Sequence, residues 1–228
     1  MDDDRLPLFP LKMVLLPRMP LPLRVFEERY RELIGRCLDE RRPFGVVLIR
    51  EGEEVGAGAV PESVGTEARI HAVQQIAGGH LIVLAVGGER FRLTECDADT
   101  YPYLVGEAEP VRDEPADASV LQPLAADVGR LFREYAHSLL ERAGVRTGID
   151  YSLPDTPPDL SFAVAAAIDM STAQRQSLLE MTDTSARLAL ELELLRGQIV
   201  RLAAEPRAAV HRATRLRAAN VRDSVSRN

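Results

Sequence analysis

Little of the equipment of a catalyst is visible in this chain of 228 residues. Cysteine occurs only at Cys37 and Cys96, far apart and at no metal-ligand or redox spacing, so buried free thiols are expected in place of a disulfide. The four histidines, His71, His80, His137 and His211, include no pair at metal-binding spacing, and structural or surface roles outweigh ligand or base roles. No G-x-S-x-G elbow surrounds Ser63, Ser138 or Ser161, which removes the usual support for an acyl-transfer nucleophile. The glycine-rich VGAGAV at 55–60 lacks the Lys-Ser or Lys-Thr of a phosphate loop and the framing of a dinucleotide fingerprint. Paired acids at Glu27 and Glu28, Glu53 and Glu54, and Asp113 and Glu114 are adjacent in sequence, so they read as solvated surface charge. No catalytic residue, metal ligand or cofactor is assigned.

Other absences bear on location. No run reaches 18 uninterrupted apolar residues, and the acidic start MDDDR lacks the positive region and apolar stretch of a signal peptide. Cytoplasmic residence without a membrane partner is the resulting expectation. Lysine occurs once, at Lys12, so arginine supplies nearly all the positive charge, a compositional bias that implies no function.

What is present is an ordinary globular composition, 46% hydrophobic, sufficient for one sizeable core or two small ones. The net charge is −7, with residues 1–115 carrying all of the excess acid and residues 116–228 in balance. Residues 196–228 reverse the sign, with eight arginines against Glu205 and Asp223. The overall charge opposes a phosphate backbone, and the tail is a local exception.

The opening stretch LPLFPLKMVLLPRMPLPLRVFEERYRELIGRCL, from Leu6 to Leu38, is the most informative. Leu6–Leu11 is strand-like, but Pro7 and Pro10 remove ladder donors and suggest an edge or a bent path. Pro17, Pro20 and Pro22 keep the chain extended until Leu23. From Phe26 to about Glu40 the apolar period becomes helical, through Phe26, Tyr30, Leu33, Ile34, Cys37 and Leu38. Strands are expected at 44–49, 55–60, 66–76, 81–86, 91–96 and 103–108, with glycine turns at Gly78–Gly79 and Gly87–Gly88. Six or seven short strands predict a closed or nearly closed barrel, because a small sheet must hide its edges.

The second half is helical. A polar linker at 110–118 precedes a helix over 121–140, a shorter one over 159–168, and a third opened by Ser171 with Gln174 in a capping box. A last helix, capped by Asp183 or Thr184, carries Leu188, Leu192, Leu195, Ile199 and Leu202. None of these helices can bury its stripe alone, so a shared bundle is expected. The organisation is then a β-rich lobe over 6–110, a helical lobe over 119–204 and a basic tail over 205–228, partly ordered or disordered. Such stripes close within a monomer as readily as between subunits, so they assign no oligomeric state.

Apolar side chains in the first segments exceed what one small sheet face needs. Phe9, Leu11, Leu16, Met19, Leu21 and Leu23 are therefore candidate contacts for an extended apolar peptide, in a groove between the barrel and the helical half. Closure of the core is the competing role for each. Arg207, Arg212, Arg215 and Arg217 make RNA or an acidic partner the alternative ligand, although the tail lacks interleaved aromatics or a recognisable reading module.

The ordered blocks LPLFPLKMVLLPRMPLPLRVFEERYRELI, RPFGVVLI, VGTEARI, GERFRL and YPYLVGEAEP resemble the amino-terminal substrate-binding domain of the Lon family of ATP-dependent proteases, over about residues 6–204. The resemblance implies an α+β fold: a pseudobarrel related to the pseudouridine-synthase and archaeosine-transglycosylase (PUA-like) fold, followed by an α-helical bundle. It also implies recognition of unfolded or damaged polypeptide. Pro10, Pro20, Phe26, Glu27, Arg29, Tyr30, Gly65, Arg90, Phe91 and Tyr103 match the family blocks and are expected mainly to define the fold. No Walker sequence or serine-lysine protease region is present, so the resemblance implies binding without hydrolysis. The Met1-Asp2-Asp3-Asp4 start and the long tail favour a complete small protein.

Overall fold

The computed structural model describes residues 4–54, 58–144 and 152–204. Half of VGAGAV at 55–60, residues 55–57, and all of the basic tail over 205–228, with His211, therefore lie outside the described residues. Contact density divides the chain into two units. One runs to Pro115 and takes back Ala165–Thr184; the other holds Ala116–Val164 and the residues from Ser185 onward.

The first unit is built on six strands, β1 (Leu6–Leu11), β2 (Pro20–Val25), β3 (Phe44–Glu51), β4 (Val60–Gln75), β5 (Leu81–Asp97) and β6 (Val105–Pro110). Their order is β2-β5-β4-β3-β1-β6, and β6 pairs again with β5. Five strands thus close into a ring-like pseudobarrel, while β2, among the described residues, pairs only with β5.

β1 is not an edge. It lies between β3, to which it is parallel, and β6, to which it is antiparallel. Register explains how its prolines are tolerated. The Leu8 N–H donates to Leu104 O at 2.8 Å, so Pro10, two residues on, faces the β6 side, where the ladder covers only Leu6 and Pro7. Pro7 faces β3 one step before that ladder begins at Leu8. Each missing donor falls where no partner strand runs. Alternation along β1 then feeds two clusters: Phe9 and Leu11 join the larger core, whereas Leu6 and Leu8 pack with Val47 and Phe91.

The helix α1 (Glu28–Asp39) buries Tyr30, Leu33, Ile34 and Cys37 in the larger core. Phe26 precedes it and is 49% exposed, and Leu38 at its far end is 45% exposed. These two residues of the expected stripe are therefore outside the core.

Two glycines are explained by close approach. A Cβ on Gly65 would lie 2.4 Å from Val46 O and 2.7 Å from Phe91 Cζ. Gly65→Ala should therefore cost about 3 kcal/mol, read as a lower denaturation midpoint; an unchanged midpoint would refute the crowding. Gly87 does not turn the chain as its sequence context suggests, because β5 runs unbroken through it. Its missing side chain admits the strand-preceding loop instead: a Cβ there would sit 2.2 Å from Leu16 O. The Gly87 N–H donates to Met19 O at 2.9 Å and the Arg18 N–H donates to Gly87 O at 2.8 Å.

The helices are α2 (Ala118–Arg142), α3 (Pro157–Ala167), α4 (Thr172–Glu180) and α5 (Thr184–Ala204). Asp117 caps α2 by accepting from the Ser119 N–H at 2.8 Å, and Ser171 with Gln174 forms the reciprocal box on α4. α4 clusters with the strands, which differs from the simple strand-then-helix division read from sequence. The reason is polar. Gln176 Nε2 donates to Val64 O at 3.0 Å, and Arg90 Nη1 donates to Leu179 O and Met181 O, each at 2.7 Å. Arg90, only 5% exposed, also pairs with Asp113.

In the second unit Val128, Leu131, Phe132 and Tyr135 of α2, Leu160 and Phe162 of α3, and Leu188, Leu192 and Leu195 of α5 are buried. A polar cluster lies among them. Ser161 Oγ donates to Glu191 Oε1 at 2.7 Å and accepts from Arg187 Nε at 3.0 Å, while the Arg187 guanidinium stacks 4.3 Å from the Phe162 ring.

Candidate functional site

The candidate peptide contacts divide by depth. Phe9, Leu11, Leu16 and Leu21 are all buried, three of them in the cluster that holds α1. Phe9 and Leu11 fill the core because β1 is interior, and Leu16 and Leu21 are buried from the loop before β2 and from β2 itself, so these four do not line an accessible recess. Met19 and Leu23 are half-buried against the same cluster.

The residues matching the family blocks take packing and pairing positions. Arg29 Nη2 lies 3.0 Å from Glu27 Oε2 and donates to Glu54 O at 3.2 Å, with its guanidinium 4.4 Å from the Tyr30 ring. Tyr30 stacks on Phe9 at 4.1 Å, and burial pushes its hydroxyl pKa upward. Tyr103 stacks on Tyr101 at 5.4 Å. Pro10, Arg29, Tyr30 and Tyr103 together border a hollow of only about 60 Å³, too small for a side chain of any length. Gly65 and Phe91 meet at the close approach described above, and Pro20 is exposed on β2.

Catalytic geometry is not assembled by the described residues. His71 and His80 lie at opposite ends of the second half of β4 and its turn, and His137 lies 3.3 Å from Glu141 on exposed helix. Ser138 donates back to Glu134 O at 2.9 Å, as helix serines do. Among the described residues no group of three or more His, Cys, Asp or Glu is placed to hold a metal. No described helix is long and apolar enough to cross a membrane.

An apolar surface does emerge, on the outer face of β2, β5 and β4. Cross-strand register sets three rows there: Pro20, Val86, Arg69; Pro22, Leu84, Ala72; and Arg24, Ile82, Gln74. An irregularity between Ile70 and Ala72 keeps both Arg69 and Ala72 on this side. Ile82 and Leu84 are 44% and 42% exposed, although they occupy the middle strand of the three. Their neighbours Val83 and Ala85 point inward and are fully buried. The signal was present in the sequence: LIVLAV at 81–86 is apolar on both faces, whereas a sheet wetted on one side alternates. Because the Met19 carbonyl faces β5, the backbone groups of Pro20 and Pro22 face away from it, and those two positions carry no N–H. A ligand on this face must therefore be held by side-chain contact across the sheet.

A cleft of about 460 Å³ opens beside this face, where the end of α1 meets the start of β3 and the middle of β4. Leu38, Pro43 and Ile70 give it an aliphatic wall, and Arg41, Arg42 and Arg69 give it positive charge. Arg42 is held by Glu40 and by the backbone carbonyls of Asp4 and Arg5. Arg41 occupies the left-handed position after the helix, φ 51°, while the Arg42 N–H donates to Cys37 O at 3.0 Å. Glycine is usual there, and an arginine costs roughly 1 kcal/mol. Arg69 has one loose partner, Glu67 at 3.9 Å, whose carboxyl is pushed upward by burial. Burial also pushes the Cys37 thiol up to about 12, so it contributes bulk and no nucleophile.

A larger cleft, about 620 Å³, lies between β3 and α4. Its charges oppose one another, Lys12 and Arg50 against Glu62 and Glu180, and Gln176 is tied to Val64 O and Glu180. It selects no charge class.

Comparison with known proteins agrees with this architecture. The ATP-dependent protease La (LON) substrate-binding domain profile matches residues 5–197. Lon protease 2 of Myxococcus xanthus and Lon protease of Anaeromyxobacter dehalogenans are each 31% identical over 193 residues, 83% of this chain and 23% of theirs. The chain thus spans about a quarter of the length of the curated relatives it matches, and it corresponds to their small substrate-binding domain rather than to the ATPase and protease modules. Among solved structures, a Lon N-terminal domain protein from Xanthomonas campestris superposes with a TM-score of 0.61 at 31% identity, covering 84% of this chain and 98% of that one. The N-terminal domain of Mycobacterium avium complex Lon protease gives a TM-score of 0.65 at 23% identity over 85% of this chain and 98% of that one, a likeness of fold.

Proposed function

The chain belongs to the Lon substrate-binding domain family, and from that footing we propose that it binds exposed apolar polypeptide segments without catalysing their cleavage. The single observation that carries this reading is the outward, solvent-facing pair Ile82 and Leu84 in the middle of the β2-β5-β4 face, bordered by Pro20, Pro22 and Ala72. A wetted sheet face normally carries polar residues, and an apolar patch there marks a contact surface. The ligand in this reading is an unfolded chain or a partner protein, lying across the face. Candidate contacts move accordingly from the buried Phe9, Leu11, Leu16 and Leu21 to the opposite face of β2 and its neighbour. Cytoplasmic residence is part of the proposal, supported by two free cysteines, which suit a reducing compartment.

The test is a titration with a reduced, carboxymethylated polypeptide that stays unfolded, followed by fluorescence anisotropy. Threonine at Ile82 and Leu84 keeps strand propensity while removing aliphatic area, about 1 kcal/mol of contact at each half-exposed position. The double replacement should weaken binding roughly tenfold or more with the thermal midpoint nearly unchanged. Equal affinity for the parent and the double variant would sink this surface as the binding face.

A further inference from the structure

We infer that the arginine-lined cleft at the end of α1 receives the free carboxyl terminus of a bound chain whose last residue is aliphatic; the inference rests on the peptide-binding reading above. Three observations converge on it. The cleft joins two chemistries in one place, with guanidinium groups of Arg41 and Arg69 beside the aliphatic wall of Leu38, Pro43 and Ile70. That pairing complements a terminal residue with a carboxylate and an apolar side chain on one carbon. The positive charge is local, in a chain whose net charge is −7 and whose first half holds all of the excess acid.

Position supplies the second observation. Arg69 belongs both to the cleft wall and to the outermost row of the apolar face, cross-strand from Val86. Neighbouring strands are about 4.8 Å apart, so an extended segment with side chains on Leu84 and Val86 reaches the cleft within about two residues. Face and cleft then form one continuous track: apolar residues on the sheet, the terminus between Arg69 and Arg41.

The third observation is Arg41 itself. It holds a left-handed conformation that glycine would adopt without strain, and its side chain lies on the cleft. The nearby acids do not cancel this charge. Glu40 is engaged by Arg36 and Arg42, and Glu67 pairs only loosely with Arg69 at 3.9 Å, so Arg41 carries most of the charge left to a ligand. Among the described residues that line the cleft there is no aromatic ring on which a base could stack, which favours a peptide carboxylate over RNA.

The experiment compares two fluorescein-labelled peptides of the sequence Gly-Ser-Leu-Ala-Leu-Leu, one with a free carboxyl terminus and one amidated, on the full chain. The free form should bind about fivefold tighter, in the range of a charge-assisted contact at a partly exposed site. Arg41→Gly relieves the strained position, so this variant should remain folded with an equal or higher thermal midpoint. In it, and in Arg69→Gln, the preference for the free form should fall toward unity while the amidated peptide binds as before. Equal binding of the two peptides by the parent chain overturns the inference and leaves the apolar face standing. Absence of binding by either peptide, with the unfolded polypeptide also failing to bind, removes both. Salt-sensitive binding of a single-stranded RNA oligomer that is lost in the Arg41 and Arg69 variants, without any carboxylate preference, assigns the cleft to nucleic acid and also overturns it.

Discussion

Replacing Arg90 with alanine is expected to destabilise the strand unit by about 3–5 kcal/mol, the cost of breaking a buried charged pair by removing one partner. Its guanidinium is nearly enclosed and satisfies two main-chain carbonyls at the end of α4 together with the Asp113 carboxylate. Truncation leaves all three acceptors without this donor in a water-poor setting. The linker also loses a tie to the same segment, which it otherwise meets through bonds that include Glu114 N–H to Thr182 O at 2.9 Å, the Thr182 hydroxyl to Glu114 Oε1 at 2.5 Å and the Asp113 bond to Thr184 at 3.1 Å. Urea denaturation measures the loss. Arg90→Met, which restores bulk and no hydrogen bonds, should recover only a minor part of it; full recovery would mean that Arg90 acts by filling space.

The second large effect concerns pH. Glu191 is enclosed between helices, and burial pushes its carboxyl up to about 8, against the smaller opposing effects of the Ser161 hydroxyl and Arg187. In the unfolded chain the same group titrates near 4.5. Between those values the folded state holds a proton that the unfolded state has released, so stability contributed by this group is present at low pH and declines as pH rises from about 4.5 toward about 8. The decline amounts to a few kcal/mol, roughly 1.4 kcal/mol for each pH unit of displacement. Glu191→Gln keeps the acceptor for Ser161 and cannot ionise. Its stability should therefore be flat over that interval, and at pH 8 it should exceed the parent by roughly 2 kcal/mol or more. Parallel pH profiles for parent and variant would show that Glu191 is ionised in the fold, with Arg187 compensating it.

Much of the fold was legible because local signals and tertiary needs coincided. The limits of β1, the stripe of α1 and the Ser171 capping box follow from proline placement, period and reciprocal hydrogen bonding, all of which are local. Where a residue serves a distant partner, sequence reasoning misread it. Gly87 resembles a turn glycine, but its role is to admit the Leu16 carbonyl from another segment. Prolines in β1 resemble edge markers, but register placed their missing donors beyond the reach of either neighbour. α4 carries a helix signature like the others, and only the bonds of Gln176 and Arg90 reveal that it belongs with the strands.

The candidate site was less legible for a related reason. An excess of apolar residues in the opening segment signalled spare hydrophobic surface, but the core took in four of the six side chains first suspected. The excess appears instead on β5, where LIVLAV is apolar on both sides. The cleft arginines lie 28 positions apart in sequence, Arg41 and Arg69, and each taken singly is an unremarkable surface cation. Only the packing of α1 against the β3-β4 pair brings them to one opening.

A protein that displays oily side chains on a sheet risks joining its own copies strand to strand, a route toward fibrils. Here the vulnerable margin is disarmed by imino acids: at Pro20 and Pro22 an approaching backbone finds carbonyl oxygens with no hydrogen to match its own. The patch can thus stay sticky toward the side chains of strangers while the margin beside it refuses to seed a growing ladder.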